Sequence, residues 1–298
     1  MFSAGSVGYY YTIVSVSFVA EVSSNHHRDL DRCLAFIDAA ADIGSDAVKF
    51  QLFRIAELFA PEAIAAKPEL RRREAWELPV AFLPALADRC RARKIRFGCT
   101  PFYLDAVETL APHVDFYKVA SYELLWTDLL RRCAATGKPV VLAAGMATLP
   151  EVTEAVRTLR DAGCRDLTVL HCVSGYPAPV LECNLSAIQT IGDATGCVMG
   201  WSDHSVSPAV IYRAIHRWGA SMIEYHLDLD GTGEEFATGH CWLPDQMRAV
   251  IETVRAGISA DGTGEKVPAP SEVRDREWRA DPVDGLRPLR RTREGLGK

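Results

Sequence analysis

Two short polar motifs place histidines at equivalent points of two successive apolar runs. The motifs are SDHS at residues 202–205 and EYH at residues 224–226, and each ends or follows a run that predicts a β-strand. If these strands are neighbours, His204 and His226 lie about one strand spacing apart, roughly 4.8 Å between backbones. Two neutral imidazoles suit Mn, Fe, Co or Zn and leave coordination positions open for water and substrate. The pattern therefore predicts a divalent metal site, with two structural histidines as the alternative.

Two lysines lie inside apolar runs that also predict strands. Lys49 has Val, Ala and Phe as neighbours, and Lys118 has Tyr, Phe and Val. A buried lysine is costly unless a carboxylate or a bound anion faces it. One interpretation is a pair of structural salt bridges with Glu21 or Glu224, and the other is a pocket for a small phosphorylated and carboxylated molecule. The hydroxyl groups that could complete such a pocket are those of Thr100, Ser121 and Ser202.

The elements that must position these residues form a regular series. Eight β-rich runs alternate with amphipathic helical stretches. This series predicts an α/β fold, a closed (β/α)8 TIM barrel, because crossover helices make the strands parallel and eight strands can close on themselves. A doubly wound open sheet is the alternative. The barrel is favoured because polar residues recur at the carboxyl ends of nearly all eight strands, where barrels assemble their active sites.

Two segments are longer than ordinary connections between elements. Residues 54–71 extend the loop after the second strand, on the side where a barrel keeps its chemistry. Residues 263–298 are rich in proline and charge and too poor in apolar residues for a domain. The sequence therefore predicts a barrel domain at residues 1–262 and a C-terminal tail at residues 263–298.

Composition excludes several classes of protein. The 298 residues are 48% hydrophobic and 24% charged, as in soluble globular proteins. A net charge of −6 with scattered basic residues argues against a nucleic-acid partner. No membrane partner is expected, since the chain offers no span of about 20 uninterrupted apolar residues. Nine cysteines without a CxxC pair predict reduced thiols and a cytoplasmic protein.

The motifs at the predicted strand ends resemble those of a known family. AEVSSNH, DAVKFQLF, CTPF, YKVASYE, AAGMAT, LHCVSGYPAP, GWSDHS and IEYH occur in this order. Together they resemble the sialic acid synthase (N-acetylneuraminate synthase) family over about residues 17–255. The resemblance implies a (β/α)8 barrel that condenses phosphoenolpyruvate with an N-acylated amino sugar to a nonulosonic acid, with release of phosphate. It also implies Mn or Mg as cofactor and a homodimer.

The resemblance also implies roles for individual residues. Catalysis would involve Glu21, His204 and His226, and the two histidines would hold the metal as a Lewis acid on the sugar aldehyde. Glu21 would handle the proton of the water that adds to C2 of phosphoenolpyruvate, unless it serves only as a partner for Lys49. The residues implied for phosphoenolpyruvate are Lys49, Thr100, Lys118, Ser121, Ser174 and Ser202. Those implied for the sugar are Glu21, Tyr176 and either Glu234 or Glu235, of which Glu234 is favoured.

Three departures from the family pattern bear on substrate choice. Ala143 stands where the family has a serine, and LDLDGTGEEFATGHCWLP replaces the usual stretch after the eighth strand. The sequence also ends where the family continues into an antifreeze-like domain that delivers an arginine to the sugar. We expect Arg279 or Arg287 of the tail to replace that arginine by folding over a barrel mouth, with a solvated basic terminus as the alternative.

Alternative functions remain open at this point. One is a synthase that acts on a phosphorylated or unacetylated aldose, or a metal-dependent aldolase that uses pyruvate. The other is a catalytically idle barrel that binds a sugar.

Overall fold

A closed barrel of parallel strands forms the frame of the molecule. The computed structural model describes residues 15–296. The sheet order is sequential, and β1 pairs with β8 in parallel through Phe18 and Ile223. The (β/α)8 prediction is confirmed, and the open sheet is wrong because its edge strands would be unpaired. The strands are β1 (Ser17–Glu21), β2 (Ala47–Leu52), β3 (Arg96–Pro101), β4 (Phe116–Val119), β5 (Val140–Ala143), β6 (Leu167–Cys172), β7 (Val198–Asp203), β8 (Met222–Leu227) and a short β9 (Cys241–Trp242).

Helices follow the strands. The helix after β7 shows why the chain folds this way locally: Pro208 begins it with a preset φ, and Gly219 ends it with a φ of +74°. The helices are α1 (Leu30–Asp42), α2 (Ile55–Leu58), α3 (Pro61–Ala66), α4 (Leu83–Arg93), α5 (Leu104–Leu110), α6 (Thr127–Ala135), α7 (Leu149–Asp161), α8 (Ala187–Thr195), α9 (Pro208–Trp218), α10 (Glu234–Ala237), α11 (Pro244–Ala260) and α12 (Arg290–Arg293). In residues 15–296 no helix is long and apolar enough to cross a membrane.

The barrel interior has an apolar layer beneath its polar strand ends. Successive strand residues point to opposite faces, so one residue in two enters the barrel. The interior cluster consists of Val19, Ala47, Phe116, Val141 and Leu170. A Cβ at Gly98 would collide with the Phe116 ring, so glycine is required where this ring fills the barrel. The interior positions above this layer are therefore the ones available for chemistry.

The loop between β2 and α4 is longer than the predicted extension at residues 54–71. It contains α2, α3 and 3-10 segments at Pro68–Trp76 and Val80–Phe82. Its apolar side chains form a separate cluster around Phe53, Ile55 and Ile64. The loop is thus an ordered wall with a small core of its own.

The chain divides into a compact unit that ends at Ile258 and a second that begins at Ser259. The predicted boundary after residue 262 falls within the second unit. Inside that unit the Leu289 N–H donates to the Glu277 carbonyl at 2.9 Å, and the Arg291 guanidinium pairs with the Glu277 carboxylate. The expectation that Arg279 or Arg287 reaches a barrel mouth stays a prediction.

Candidate active site

The strand alternation places charged side chains above the apolar interior layer. Glu21 lies two residues after Val19, Lys49 two after Ala47, and Lys118 two after Phe116, so each shares the inward face of its neighbour. Glu224 and His226 alternate in the same way along β8. Glu21, Lys49, Lys118 and Glu224 are all buried, and we refer to these four residues as the ion network.

Glu224 is the carboxylate at the centre of the ion network. Its Oε1 lies 2.7 Å from Lys118 Nζ and accepts a hydrogen bond from Ser202 Oγ at 3.1 Å. Its Oε2 lies 4.0 Å from Lys49 Nζ. Burial opposes ionisation of Glu224, but the charges of Lys118 and Lys49 outweigh it and lower the carboxyl pKa. Glu224 is therefore ionised in the folded protein.

Lys49 has a second carboxylate partner in Glu21. Its Nζ is ion-paired with Glu21 and donates to Thr100 Oγ1 at 3.1 Å. Although burial favours the neutral amine, the charges of Glu21 and Glu224 raise the pKa of Lys49. Both salt-bridge partners considered for the lysines are thus engaged. An incoming anion would have to compete with them.

Hydroxyl groups converge beside this network at Gly145. Ser121 Oγ accepts from the Gly145 N–H at 3.0 Å and lies 3.2 Å from Cys172 Sγ. Ser174 Oγ is buried and has no hydrogen-bond partner among residues 15–296. A Cβ at position 145 would overlap both serine hydroxyls, so only glycine allows them to converge. Ala143, at the end of β5, contributes no hydroxyl to this group.

His204 and His226 are close, as their positions on neighbouring strands predict. Their ring centroids lie 5.3 Å apart. His204 Nδ1 lies 2.7 Å from the Val173 carbonyl, which can only accept, so Nδ1 carries the proton and Nε2 keeps its lone pair. Burial, with the charge of His226, lowers the pKa of His204 to about 3, so the ring is neutral at ordinary pH. An imidazole held this way through Nδ1 is typical of metal ligands.

Sequence reasoning missed the partners that gather around His226. His226 Nδ1 lies 3.0 Å from Glu235 Oε2, and His240 Nε2 lies 3.4 Å from the same oxygen. Burial opposes protonation of His226, but the hydrogen bond and the charge of Glu235 outweigh burial and raise the pKa of His226. Ligand atoms of His226, Glu235, His240 and Cys241 all lie within 4.8 Å of one another. We call His204, His226, Glu235 and His240 the histidine cluster.

The sequence contained one signal for this arrangement. The stretch GHCW at residues 239–242 lies in the segment that departs from the family pattern, and β9 places Cys241 opposite His226. Of the two glutamates considered for the sugar, Glu235 contacts the histidines. Glu234, the favoured one, lines the adjacent cavity.

A cavity of about 780 Å³ opens at these strand ends. Four of the residues considered for the site contribute to its lining: Tyr176, His226, Glu234 and Glu235. The lysines Lys49 and Lys118 are each only 3% exposed and lie outside the described lining. One wall of the cavity is apolar and consists of Phe53, Ile55, Leu58, Phe59, Trp76 and Phe102. The cavity is therefore wide, with a polar floor and one apolar side.

Comparison with known proteins agrees with this geometry. The family model described as the NeuB family matches residues 36–266. The chain belongs to the NeuB family. It is 31% identical over 270 residues to the N,N'-diacetyllegionaminic acid synthase of Campylobacter jejuni, covering 86% of this chain and 80% of that one. It is 27% identical over 277 residues to the pseudaminic acid synthase of Helicobacter pylori, covering 87% and 79%.

A solved structure extends the similarity to three dimensions. It is the N-acetylneuraminic acid (sialic acid) synthetase from Leptospira borgpetersenii serovar Hardjo-bovis, crystallised in complex with citrate. The TM-score is 0.77 at 29% sequence identity, covering 88% of this chain and 90% of that chain. The predictions of the family and of an enzyme of the carbon–carbon bond-forming synthase class are confirmed. This NeuB-family chain is a sialic-acid-synthase-like enzyme.

Proposed function

We propose that this enzyme condenses phosphoenolpyruvate with an N-acylated amino-sugar aldehyde to give a nonulosonic acid and phosphate. The observation that carries the proposal is the juxtaposition of two buried lysines with two histidines, at the strand ends of a NeuB-family barrel. Similar proteins are synthases of legionaminic, pseudaminic and sialic acids.

The proposed phosphoenolpyruvate site is the side of the barrel that carries the ion network. Lys49 and Lys118 would exchange part of their contact with Glu21 and Glu224 for the phosphate and carboxylate of the substrate. Ammonium groups that are already desolvated lose little further hydration when they bind an anion. The Ser174 hydroxyl has no hydrogen-bond partner within the described part of the chain, so it is free to donate to a phosphate oxygen. The other hydroxyl donors proposed for this substrate are Thr100, Ser121 and Ser202.

The residues present fit a divalent metal, which we propose is held by His204 and His226. His204 has its Nδ1 engaged by a carbonyl, and His226 has its Nδ1 engaged by the carboxylate of Glu235. Partners at Nδ1 fix the ring orientation and make Nε2 the available donor. When bound, Mn or Mg would supply Lewis acidity at the aldehyde oxygen.

Glu21 is the residue we propose to move a proton. Its Oε1 accepts from the Ser23 N–H at 2.8 Å and from Gln51 Nε2 at 3.0 Å, so its orientation is fixed. A fixed carboxylate can take the proton of the water that adds to C2 of the substrate. The ion pair with Lys49 holds Glu21 next to the proposed phosphate site.

Tyr176 and the apolar wall are proposed to receive the sugar. Tyr176 is 43% exposed, and its ring lies 4.2 Å from that of His204, so it can contact a substrate that approaches the metal ligands. Glu234 offers an acceptor for sugar hydroxyls at the cavity lining. Phe59 and Trp76 offer apolar surface to an acyl methyl group.

A second candidate is a barrel that binds a sugar without condensing it. The engaged lysines favour this candidate, because both are paired with carboxylates and lie outside the described cavity lining. Phosphate release separates the two functions.

Reduced thiols at all nine cysteines support the proposed cytoplasmic location. The homodimer rests on the family resemblance, and sedimentation equilibrium would test it.

The experiment incubates the protein with Mn²⁺, phosphoenolpyruvate and a panel of N-acylated, unacylated and phosphorylated aldoses, and follows phosphate. We expect release with N-acylated sugars only, and no product when pyruvate replaces phosphoenolpyruvate. Lys118→Met and His204→Ala should each lower the rate by about two orders of magnitude or more. His216 is an exposed histidine on α9. The variant His216→Ala is the matched control and should keep full activity. Sugar binding without phosphate release would favour the second candidate.

A further inference from the structure

We propose that Arg73, Phe59 and Trp76 form a subsite for the acyl group of the acceptor sugar, with its carbonyl oxygen at Arg73 and its alkyl chain on the two rings. This inference rests on the proposed function and deepens it, because it names the residue that distinguishes an acylated amine from a free one. Its basis is a guanidinium group that lines the cavity without an anionic partner in residues 15–296.

The loop between β2 and α4 holds the three side chains in place. Arg73 and Trp76 lie in the 3-10 segment that ends at Trp76, and Phe59 directly follows α2. Both aromatic rings pack against the small apolar core of this loop. The segment is also tied to the loop after β1, because Arg28 Nη1 donates to the Glu74 carbonyl at 2.8 Å. The position of the subsite is therefore set by the fold.

The Arg73 guanidinium lies over two aromatic rings. Its Cζ is 5.4 Å from the ring centroid of Trp76 and 5.9 Å from that of Phe59. Both distances fall within the limit of about 6 Å for a cation–π contact. A ring face accepts no conventional hydrogen bond, so the N–H donors in the guanidinium plane remain available.

No carboxylate of the described residues takes up these donors. The nearest acidic residue along the chain, Glu74, pairs with Arg71 at 3.0 Å. Arg73 itself is exposed and makes neither an ion pair nor a hydrogen bond through its guanidinium within residues 15–296. It is also the single arginine or lysine in the described lining of the cavity. Its donors are thus open to a ligand.

The charges of the cavity favour a neutral acceptor group at Arg73. Three acidic side chains share the lining with this arginine: Glu123, Glu234 and Glu235. An anionic substituent on the sugar would meet like charges in the same cavity. A neutral carbonyl oxygen accepts from a guanidinium group without that repulsion.

The surroundings of Arg73 match the two parts of an acyl group. An acyl group carries a carbonyl oxygen and an alkyl chain on the same carbon, and the subsite offers N–H donors beside two ring surfaces. A phosphate or hydroxyl group would use the donors and leave the rings uncovered. The cavity has about 780 Å³, and its apolar wall continues beyond the two rings through Phe53, Ile55, Leu58 and Phe102. Acyl chains longer than acetyl should therefore find apolar surface as well.

The test measures phosphate release with amino sugars that carry an acetyl, propanoyl, butanoyl or no acyl group. In the wild type we expect KM for the sugar to fall by up to about fourfold for each added methylene, because the wall buries it. Arg73→Met should raise KM for the acylated sugars by about 10-fold or more, the loss of a hydrogen bond to a charged group. KM for phosphoenolpyruvate and kcat should stay unchanged, because the contact is the same in the ground state and the transition state.

Two variants control for the change of charge. Arg72 is an exposed arginine of the same 3-10 segment and lies outside the described cavity lining, so Arg72→Met should keep the wild-type constants. Arg73→Lys keeps the charge but loses the planar donor arrangement, so its KM should lie between those of the wild type and Arg73→Met.

The outcomes separate this subsite from the proposed function. The subsite is overturned if Arg73→Met leaves KM for the acylated sugars within about twofold of wild type, or if it raises KM for phosphoenolpyruvate equally. An effect confined to phosphorylated sugars would also overturn it, since Arg73 would then bind phosphate. If the wild type releases no phosphate with any sugar, the proposed function fails. Calorimetry without phosphoenolpyruvate then tests the subsite alone, through the dissociation constants of acylated and free-amine sugars in the same proteins.

Discussion

The ion network and the histidine cluster lie side by side at the strand ends, yet they balance charge in opposite ways. In the ion network two ammonium groups meet two carboxylates, so the charges cancel inside the folded chain. In the histidine cluster one carboxylate, that of Glu235, lies within 3.4 Å of two imidazoles. The charges of the ion network cancel without a ligand, whereas the histidine cluster includes the proposed ligands of a cation. On the proposed function, substrate binding disrupts ion pairs in the first region, and a cation adds charge to the second.

Removal of one charge from the ion network should have the largest effect on stability. Glu224→Gln leaves the buried ammonium of Lys118 without its carboxylate. We expect a loss of about 3–5 kcal/mol in the free energy of unfolding, because an uncompensated buried charge keeps its desolvation cost. Guanidinium-induced unfolding measures it.

The double variant Glu224→Leu with Lys118→Met should recover most of this loss, since it removes both charges. Arg157→Ala removes an exposed ion pair with Glu154 and should change little, which makes it the control. If Glu224→Gln lowered the free energy of unfolding by less than about 1 kcal/mol, Glu224 would not be the buried, ionised partner of Lys118.

Metal removal should affect the histidine cluster alone. At a Zn²⁺ concentration about 100 times the dissociation constant, binding stabilises the folded state by about 2.7 kcal/mol. His226→Ala should lose this stabilisation by Zn²⁺. Glu224→Gln should keep it, although its free energy of unfolding without metal is lower. Thermal unfolding with and without chelator measures both. An increment that survives in His226→Ala would place the cation elsewhere.

Gly145→Ala tests the packing beside the ion network. The added methyl group meets Ser121 Oγ and Ser174 Oγ, so we expect a loss of about 1–3 kcal/mol and weaker phosphoenolpyruvate binding. Gly257→Ala in α11 is the matched control, because its nearest neighbour is His216 at 3.9 Å. That control should gain roughly 0.5–1 kcal/mol from helix propensity. Equal effects at both glycines would argue against a close approach at position 145.

The strand-borne half of the site could be predicted from the sequence. Period-two alternation fixes which residues enter a barrel, and a lysine among apolar neighbours identifies an interior position, as Lys49 and Lys118 show. The choice between a salt bridge and a bound anion could not be made, because both satisfy a buried ammonium group. Only the positions of Glu21, beside Lys49 on the neighbouring strand, and of Glu224, across the barrel from Lys118, reveal the pairing.

The loop-borne half could not be predicted in the same way. Glu235 and His240 meet His226 only because the chain turns back after β8 and pairs through β9, which has two residues and therefore no readable periodicity. Neighbouring helix residues differ by about 100° in direction, so the start of α10 decides whether Glu234 or Glu235 faces the histidines. A sequence pattern does not fix a helix start to one residue.

His26 lies outside both regions and provides the pH reference for the comparison. Burial, with the charge of His27, lowers the pKa of His26 to about 4 from 6.5, and Nδ1 accepts from the Arg28 N–H at 2.9 Å. Below pH 6.5 the unfolded chain binds a proton that the folded chain refuses, so stability falls as pH falls toward 4, by at most about 1.4 kcal/mol per pH unit. Glu224, with its lowered pKa, loses stability only below its ordinary value of 4.5. Burial raises the pKa of Glu123 to about 7, so Glu123 also titrates in this window, and only the difference between His26→Gln and wild type reports on His26.

We expect His26→Gln to have a shallower dependence of unfolding free energy on pH between 7.5 and 5 than the wild type. Urea unfolding at several pH values, in chelator, measures the difference between the two slopes. Identical slopes in His26→Gln and wild type would mean that folding does not lower the pKa of His26.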